Sequence, residues 1–382
     1  MTGGGTAGHI TPLLAVAKEL INLSGGDVEL YFIGQKGDKN TELIEASGLP
    51  ITRYFISAGK FRRYHNENLF HKLFDVKTNF YNLRDVFRVI RGYFSAKRIL
   101  KDINADVLFA KGGFVVVPVG RAASRLKIPY ITHDSDAIPG LANRLIASGA
   151  VKHAVAHKGV TAYPADKSFI SGIPLSSEYT KRSRVDQREY KKILGIPEDA
   201  LLIFVYAGTQ GARVIDEALE SVAPSLLEKY KNLHIAHVFG RLNEQAMASQ
   251  YSGVGESGAV RIHKMAFVDN AFDYIAAADL IIGRAGATST AEFAAVGRAC
   301  IIVPADQLTG GHQLKNAEVF EKEGAIVVVR ESELPTKLRP ACEELLDSAE
   351  KRHLLEETIH AFAMPDSAQL LASLILKQVR TH

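Results

Sequence analysis

The chain is 382 residues long, which exceeds one ordinary domain and suits two. Apolar residues make up 47% and charged residues 23%, the balance of a globular enzyme. No run of about eighteen apolar residues is present, which excludes a spanning helix. No charged stretch followed by an apolar one opens the chain, so no secretory signal is expected. Cys300 and Cys342 lack the CxxC or His spacing of a metal cluster and read as two buried thiols in a reducing cytoplasm. The net charge of +4 is unevenly spread: between Lys60 and Lys101, eleven Lys/Arg stand against three Asp/Glu. Such a patch on a near-neutral chain points to one anionic surface and not to wholesale nucleic-acid binding.

In chain order, a glycine-rich loop comes first. Gly3-Gly4-Gly5-Thr6-Ala7-Gly8 satisfies GxGxxG and leads into a helix, Leu13–Leu23, with Pro12 near its first turn. Only Met1 and Thr2 precede the loop, although a βαβ unit places a strand there. The first strand is therefore expected to be missing, through a truncated or mis-assigned start. Strand candidates follow at Val28–Ile33, Val107–Ala110, Pro129–His133 and Val151–Ala156, with a basic helical stretch at Phe80–Leu100. Ser171–Gln187 is polar, carries Pro174 and has no strand pattern, which makes it the expected hinge. The strand series resumes at Leu201–Tyr206, His234–Phe239, Leu280–Gly283, Cys300–Val303 and Ala325–Val329. The last segment, Pro365–Arg380, reads as a helix with Leu370, Leu371, Leu374 and Ile375 on one face. Strands separated by helix-length segments predict an α/β fold: two Rossmann-like, doubly wound parallel-sheet domains facing a cleft. The expected domains are 1–173 and 174–360, with a C-terminal helix, 361–382, packing back on the first.

Several of these loops carry chemistry. Glycines at positions 3 to 8 let the backbone approach a ligand, and the helix N-terminus behind them favours negative charge. A dinucleotide site would add an acidic residue at the end of the next strand; that strand ends Phe32-Ile33-Gly34, which weighs against a dehydrogenase. His9 could accept a proton from a hydroxyl as a neutral imidazole or could brace the loop, and the local sequence leaves both open. A second loop, Ala207–Ala212, follows the strand Leu201–Tyr206. The pair Gly112-Gly113 follows Val107–Ala110, where a plain tight turn is the safer reading. The densest constellation is Gly283–Glu292, with small residues and hydroxyls opening an Ala-rich helix. Its free first-turn N–H groups suit a diphosphate. Glu292, one turn in, could accept two hydrogen bonds from a ribose or simply favour the helix dipole. Gly310–Asn316 again sets amide and imidazole donors after a strand end, to read sugar hydroxyls or to cap the next helix.

From Phe80 to Leu100, Leu83, Phe87, Ile90 and Phe94 recur at helical spacing, with Arg84, Arg88, Arg91, Lys97 and Arg98 between them. A basic, aromatic amphipathic helix suits the surface of an anionic leaflet. The competing expectation is a core-packed helix with a solvated basic face.

The motifs together carry a resemblance. They are GGGTAGHITP at Gly3–Pro12, GKFRRY at Gly59–Tyr64, KGGFVVVP at Lys111–Pro118 and HDSDAIPGLANR at His133–Arg144. GTQGAR at Gly208–Arg213, FVDN at Phe267–Asn270, RAGATSTAE at Arg284–Glu292 and HQLKNA at His312–Ala317 complete the series. In order and almost end to end, these resemble the MurG family of GT-B glycosyltransferases, which add N-acetylglucosamine to the lipid-linked muramyl-pentapeptide precursor of peptidoglycan. The resemblance implies UDP-GlcNAc held mainly by the second domain. Phe267 and Val268 would flank the uracil, and Glu292 would hold the ribose. Ala287, Thr288, Ser289, Thr290 and Ala291, with Thr209 and Gln210, would surround the diphosphate. Gln313, with His312 beside it, would contact the sugar, and Arg284 belongs to the same donor set. Thr6, Ala7, Gly8 and His9 would face the acceptor phosphate and the attacking hydroxyl; Thr6, Ala7, Gly8 and Asp136 also count toward donor binding. His9 is the implied base and Asp134 the reserve. The implied partners are UDP-GlcNAc, undecaprenyl-linked muramyl-pentapeptide and the anionic cytoplasmic leaflet, met through Lys60 to Lys101. The implied place is peripheral, on the cytoplasmic face of the bacterial plasma membrane, with no metal and no cofactor. Nucleic acid is not expected, since no recognition motif is present.

The chain also departs from the family. Where relatives carry His-Glu-Gln-Asn it has His133-Asp134-Ser135-Asp136, and after Gly172 it has Ile173-Pro174-Leu175-Ser176 in place of a run bearing a phosphate-meeting arginine. Arg284, Lys111 and Arg144 are the candidate substitutes. Asp134-Ser135-Asp136 spells DxD, a divalent-metal motif of the other glycosyltransferase architecture, but three glycine-rich strand ends already offer diphosphate donors. The rival functions are a transferase for another lipid acceptor, such as diacylglycerol, and a UDP-GlcNAc epimerase-like protein. The latter has no use for a basic amphipathic segment.

Overall fold

The computed structural model describes the chain apart from residues 60–75, 159, 161, 181–185, 209–210, 241–250, 252, 307–310 and 380–382, and apart from the side chains of 76–82 and 180. Two compact units emerge: Met1–Ser176 together with Met364–His382, and Ser177–Ala363.

The first unit holds strands β1 (Thr2–Gly3), β2 (Leu30–Gln35), β3 (Ile51–Ile56), β4 (Leu108–Gly112), β5 (Tyr130–Asp134), β6 (Lys152–Val155) and β7 (Ser168–Ile170). They form one sheet in the order β3-β2-β1-β4-β5-β6-β7, parallel throughout. Its helices are α1 (Ala7–Leu23), α2 (Glu42–Ala46), α3 (Val76–Asp102), α4 (Val116–Leu126) and α5 (Leu141–Ile146). The second unit holds β8 (Leu201–Tyr206), β9 (Leu233–Val238), β10 (Ile262–Met265), β11 (Leu280–Gly283), β12 (Cys300–Ile302) and β13 (Val327–Val328), in the order β10-β9-β8-β11-β12-β13 and again parallel. Its helices are α6 (Ser177–Thr180), α7 (Gln187–Ile193), α8 (Arg213–Lys229), α9 (Glu256–Ala259), α10 (Ala271–Ala277), α11 (Ala287–Val296), α12 (His312–Glu321), α13 (Leu334–Asp347) and α14 (Ala349–His360). The last helix, α15 (Ser367–Leu376), belongs to the first unit.

The apolar runs of β4, β5, β8 and β11 become central strands because helices cover both faces of a parallel sheet, leaving no solvent side to encode. In the first unit one face packs Ile10, Leu13, Val16 and Leu20 of α1 with Leu371, Ala372 and Ile375 of α15, and the other packs Val116 and Val119 of α4 with Ala96 and Leu100 of α3. In the second unit Ile215, Leu219 and Leu226 of α8 meet Leu338 and Leu345 of α13 across strands β8 and β11. Strands β3, β7 and β10 lack a sequence signal of their own. They lie at or beside the sheet edges and carry exposed polar positions, as in the Ile51-Thr52-Arg53-Tyr54 half of β3.

Of the expected first strand only the two residues Thr2 and Gly3 are present. Thr2–Gly3 occupies the middle of the first sheet, with Thr2 opposite Ile33 on one side and Ala110 on the other. The Met1 amine donates to the Tyr31 carbonyl at 2.6 Å, and Ile33 N–H donates to the Met1 carbonyl at 2.9 Å. Strand pairing uses only backbone groups, so two residues at the carboxyl end of the slot suffice to seat the loop that follows. A cavity of about 400 Å³, lined by Val28, Leu30, Leu108, Phe109 and Ile375 among others, occupies the opposite end of the slot.

The basic helix does pack on the core, but not through its apolar stripe. Along α3 the residues Leu83, Phe87, Ile90 and Phe94 are 58%, 65%, 48% and 63% exposed. The buried side is instead Asp85, Ala96 and Leu100, and Gly92 lies so close to the Ser57 carbonyl that a Cβ there would stand 2.1 Å from it.

Candidate active site

In a doubly wound sheet the ligand crevice forms where the strand order reverses, at the carboxyl ends of the strands. In the first unit that point lies between β1 and β4, and in the second between β8 and β11. All of the glycine-rich loops singled out in the sequence, except that opening α12, sit on these four strand ends.

In the first unit α1 begins at Ala7, so His9 falls in its first turn. His9 Nδ1 lies 2.7 Å from the Gly4 carbonyl. A carbonyl only accepts, so Nδ1 carries the proton and Nε2 keeps its lone pair. The Nε2 edge of the ring lies against Gly112, where an added Cβ would stand 3.2 Å from Nε2. A Cβ on Gly113, whose φ is +83°, would stand 2.3 Å from the Gly4 carbonyl oxygen. The glycine pair is therefore more than a tight turn: it lets the β4 end close on the glycine loop. Asp38 anchors the same loop, accepting the Gly5 N–H at 2.6 Å. Burial pushes the His9 imidazole down to about 4, helped by Lys111 and opposed by its bond to Gly4 and by Asp136 and Asp38. His9 is therefore a neutral acceptor at pH 7.

Asp134 is differently employed. Its carboxylate accepts the Tyr163 hydroxyl at 2.6 Å and the Gly140 N–H at 2.9 Å, just ahead of α5. Burial is the main cause of its raised pKa. With both oxygens engaged it braces the segment 134–140, which weighs against a reserve base and against the DxD metal reading. Lys111 Nζ donates to Ser135 Oγ at 2.6 Å. His133 donates from Nε2 to the Gly172 carbonyl at 2.9 Å, and Asn143 donates to the His133 carbonyl at 2.9 Å. Thr6 is exposed, Ala7, Gly8, Ser135 and Asp136 are partly exposed, and Arg144 is exposed.

In the second unit α11 starts at Ala287 with Gly286 as its N-cap and no side chain capping it. The first helical bond runs from Thr290 N–H to Gly286, so the N–H groups of Ala287, Thr288 and Ser289 have no intrahelical acceptor. Thr290 turns its own hydroxyl back to the Gly286 carbonyl at 2.9 Å and is buried. Ala291 and Glu292 follow, both partly buried. The Glu292 carboxyl is pushed up to about 8, first by loss of hydration and then by Glu178 of α6. Tyr206, at the end of β8, and Tyr179 are in turn pushed up chiefly by burial and then by Glu292. A Cβ on Gly283 would stand 2.7 Å from the Tyr206 carbonyl, which fixes β11 close against β8. Phe267 and Val268 lie partly buried in the loop between β10 and α10. Gln313 Oε1 accepts the Ala305 N–H at 3.0 Å, and Asn316 ties α12 to the Ala285 carbonyl at 3.1 Å. His312 opens α12 beside Gln313. Arg284 is held by the Val303 carbonyl at 3.1 Å and by Glu331 at 2.6 Å, a bracing arrangement. Thr209 and Gln210 lie outside the described residues, as does Gly310.

Asp38, Tyr163, Tyr206 and Glu178 were not anticipated. Each joins its site through a contact far away in sequence, and none lies in a motif. Among the described residues no group of three or more metal-ligating side chains forms, and no helix is long and apolar enough to cross a membrane.

Two parallel sheets, each with glycine-rich strand ends gathered at its switch point, define the two-Rossmann-domain GT-B fold class. The chain belongs to glycosyltransferase family 28: the N-terminal domain of that family matches residues 1–155 and its C-terminal domain residues 202–371. The chain is 34% identical over 339 residues to the UDP-N-acetylglucosamine–N-acetylmuramyl-(pentapeptide) pyrophosphoryl-undecaprenol N-acetylglucosamine transferase of Lachnoclostridium phytofermentans, covering 87% of this chain and 86% of that one. It is 30% identical to the Bacillus pumilus protein of the same name, covering 100% and 99%. Its fold is similar to that of Acinetobacter baumannii MurG, with a TM-score of 0.72 at 24% identity over 99% and 98% of the chains. A UDP-GlcNAc 2-epimerase from Neisseria meningitidis has a TM-score of 0.66 at 13% identity, over 98% and 99%.

Proposed function

We propose that this glycosyltransferase moves N-acetylglucosamine from UDP-GlcNAc to the muramyl 4-hydroxyl of undecaprenyl-pyrophosphoryl-MurNAc-pentapeptide, with inversion at the anomeric carbon. The observation that carries the mechanism is the His9 tautomer, which leaves Nε2 without a proton beside Gly112 at the end of β4. His9 takes the hydroxyl proton as the oxygen attacks, the anomeric C–O bond breaks, and UDP leaves with the bonding pair. The unpaired N–H groups of Ala287, Thr288 and Ser289 receive the diphosphate charge at the positive end of α11. Glu292 accepts from the ribose hydroxyls, Phe267 and Val268 flank the uracil, and Gln313, held by Ala305, reads the sugar. Thr6, Ala7 and Gly8 set the first turn of α1 toward the acceptor phosphate.

The names of the relatives favour this reading over a diacylglycerol transferase or an epimerase. The second proposal concerns place: α3 lies on the anionic cytoplasmic leaflet, where the acceptor is anchored. Its exposed Leu83, Phe87, Ile90 and Phe94, beside Arg84, Arg88 and Arg91, support that reading. The mechanism is tested with His9→Gln, which keeps a polar side chain but no base. Turnover should fall by about 10²- to 10⁴-fold with UDP-GlcNAc affinity unchanged, and a loss below about threefold would overturn the assignment. Labelled UDP-GlcNAc should yield a labelled lipid; conversion to UDP-ManNAc would refute the transferase reading.

A further inference from the structure

We propose that Lys111 is a positioning residue for the transfer step: it fixes the segment Asp134–Asp136 beside the glycine loop and presents a buried positive charge to the His9 ring. The inference rests on the reading of His9 as base and names a residue that holds the wall beside that base.

Lys111 is the next-to-last residue of β4 and is 1% exposed. A buried ammonium is costly unless compensated. Its hydrogen bond among the described residues goes to a neutral hydroxyl, Ser135 Oγ, at 2.6 Å. The compensating charges, Asp134 and Asp136, act through space from the segment after β5. The β4 end also forms the wall of the base. A Cβ on Gly3 would lie 3.4 Å from Lys111 Cβ, and one on Gly112 would lie 3.2 Å from His9 Nε2.

The charges facing His9 come from three elements: Lys111 from β4, Asp136 from beyond β5 and Asp38 from beyond β2. His133, at the end of β5, is buried and held neutral, and His157 lies near Asp136. Two carboxylates favour an imidazolium, while burial, the larger influence, keeps the ring neutral. Lys111 opposes them. After burial it is the largest influence holding His9 down at about 4. Lys111 itself is held down at about 8 by burial, against the pull of Asp134 and Asp136.

The test compares Lys111→Met and Lys111→Arg in the full chain, with kcat measured against pH at saturating UDP-GlcNAc on a short-chain lipid-linked muramyl-pentapeptide. The unaltered enzyme should lose turnover above about pH 8, as Lys111 gives up its proton. Lys111→Arg should abolish that alkaline limb while keeping turnover within about tenfold, because an arginine stays charged. Lys111→Met should lower turnover by about ten- to a hundredfold, lack the alkaline limb and move the acid limb up by roughly one pH unit, since His9 then titrates without an opposing cation. Calorimetric UDP-GlcNAc affinity should not change. A Met variant with the unaltered pH profile, active or weak, overturns the proposal and leaves Lys111 a packing residue. If the Met variant does not fold, retention of the alkaline limb by Lys111→Arg overturns it equally. If His9→Gln is nearly fully active, the base reading itself fails, whatever the Lys111 variants do.

Discussion

Replacing Phe87 and Phe94 by serine probes the exposed face of α3. These rings are 65% and 63% exposed, so each leaves roughly 130 Å² of a phenylalanine surface of about 200 Å² in water. At about 25 cal/mol per Å² that is about 3 kcal/mol per ring for full burial. A leaflet surface removes only part of the area, so about 1.5 kcal/mol each is a working figure, or about 3 kcal/mol for the pair. The double variant should therefore bind vesicles about a hundredfold more weakly. The assay is co-sedimentation with phosphatidylglycerol-containing vesicles, with pure phosphatidylcholine as the comparison; Arg84 and Arg88 are paired with Asp85 at 3.4 and 3.2 Å, so Arg91 should favour the anionic vesicles by about 1 kcal/mol and the paired arginines by less. Thermal stability should stay put, because neither ring is buried in the fold. Binding within about threefold of the unaltered protein, or no preference for anionic lipid, would refute the reasoning.

Other consequences follow from buried charges. Glu292 ionises only near 8, and its carboxylate is the form that accepts both ribose hydroxyls, so UDP-GlcNAc affinity should fall as pH drops below that value. At pH 7 binding should expel close to one proton, seen as a dependence of calorimetric heat on buffer ionisation enthalpy. Glu292→Gln should remove that dependence, and its persistence in the variant would assign the proton elsewhere. In the second unit, Lys191 Nζ bonds Asp279 at 2.8 Å and the Ala200 carbonyl at 2.6 Å, while Asp279 also accepts the Leu202 N–H at 2.7 Å. Lys191→Met strands a buried carboxylate and should cost about 3–5 kcal/mol in urea unfolding; a cost below about 1 kcal/mol would show the pair to be dispensable.

The sequence by itself determined the α/β class, most central strands and the loops that gather at the switch points. Those signals are contiguous: an apolar run such as Leu201–Tyr206 is followed at once by glycines, and the chain needs no distant partner to encode them. It also displayed the His9, Gly283–Glu292 and His312–Ala317 segments as blocks. Only the tertiary structure decided what depends on contacts between remote residues. Periodicity reveals that α3 is amphipathic, but not that the fold leaves its apolar stripe uncovered while Asp85 and Ala96 turn inward. Two residues look too few for a strand until β2 and β4 supply a backbone on either side. Gly112-Gly113 reads as a turn until the Gly4 carbonyl and the His9 ring come close against it. The Nδ1 proton of His9 is fixed by a carbonyl five residues back, and the environment of that ring by Asp38, Lys111 and Asp136. Chemistry at such a site depends on distance and burial, and these are set when the sheet closes, not when the residues are read in line.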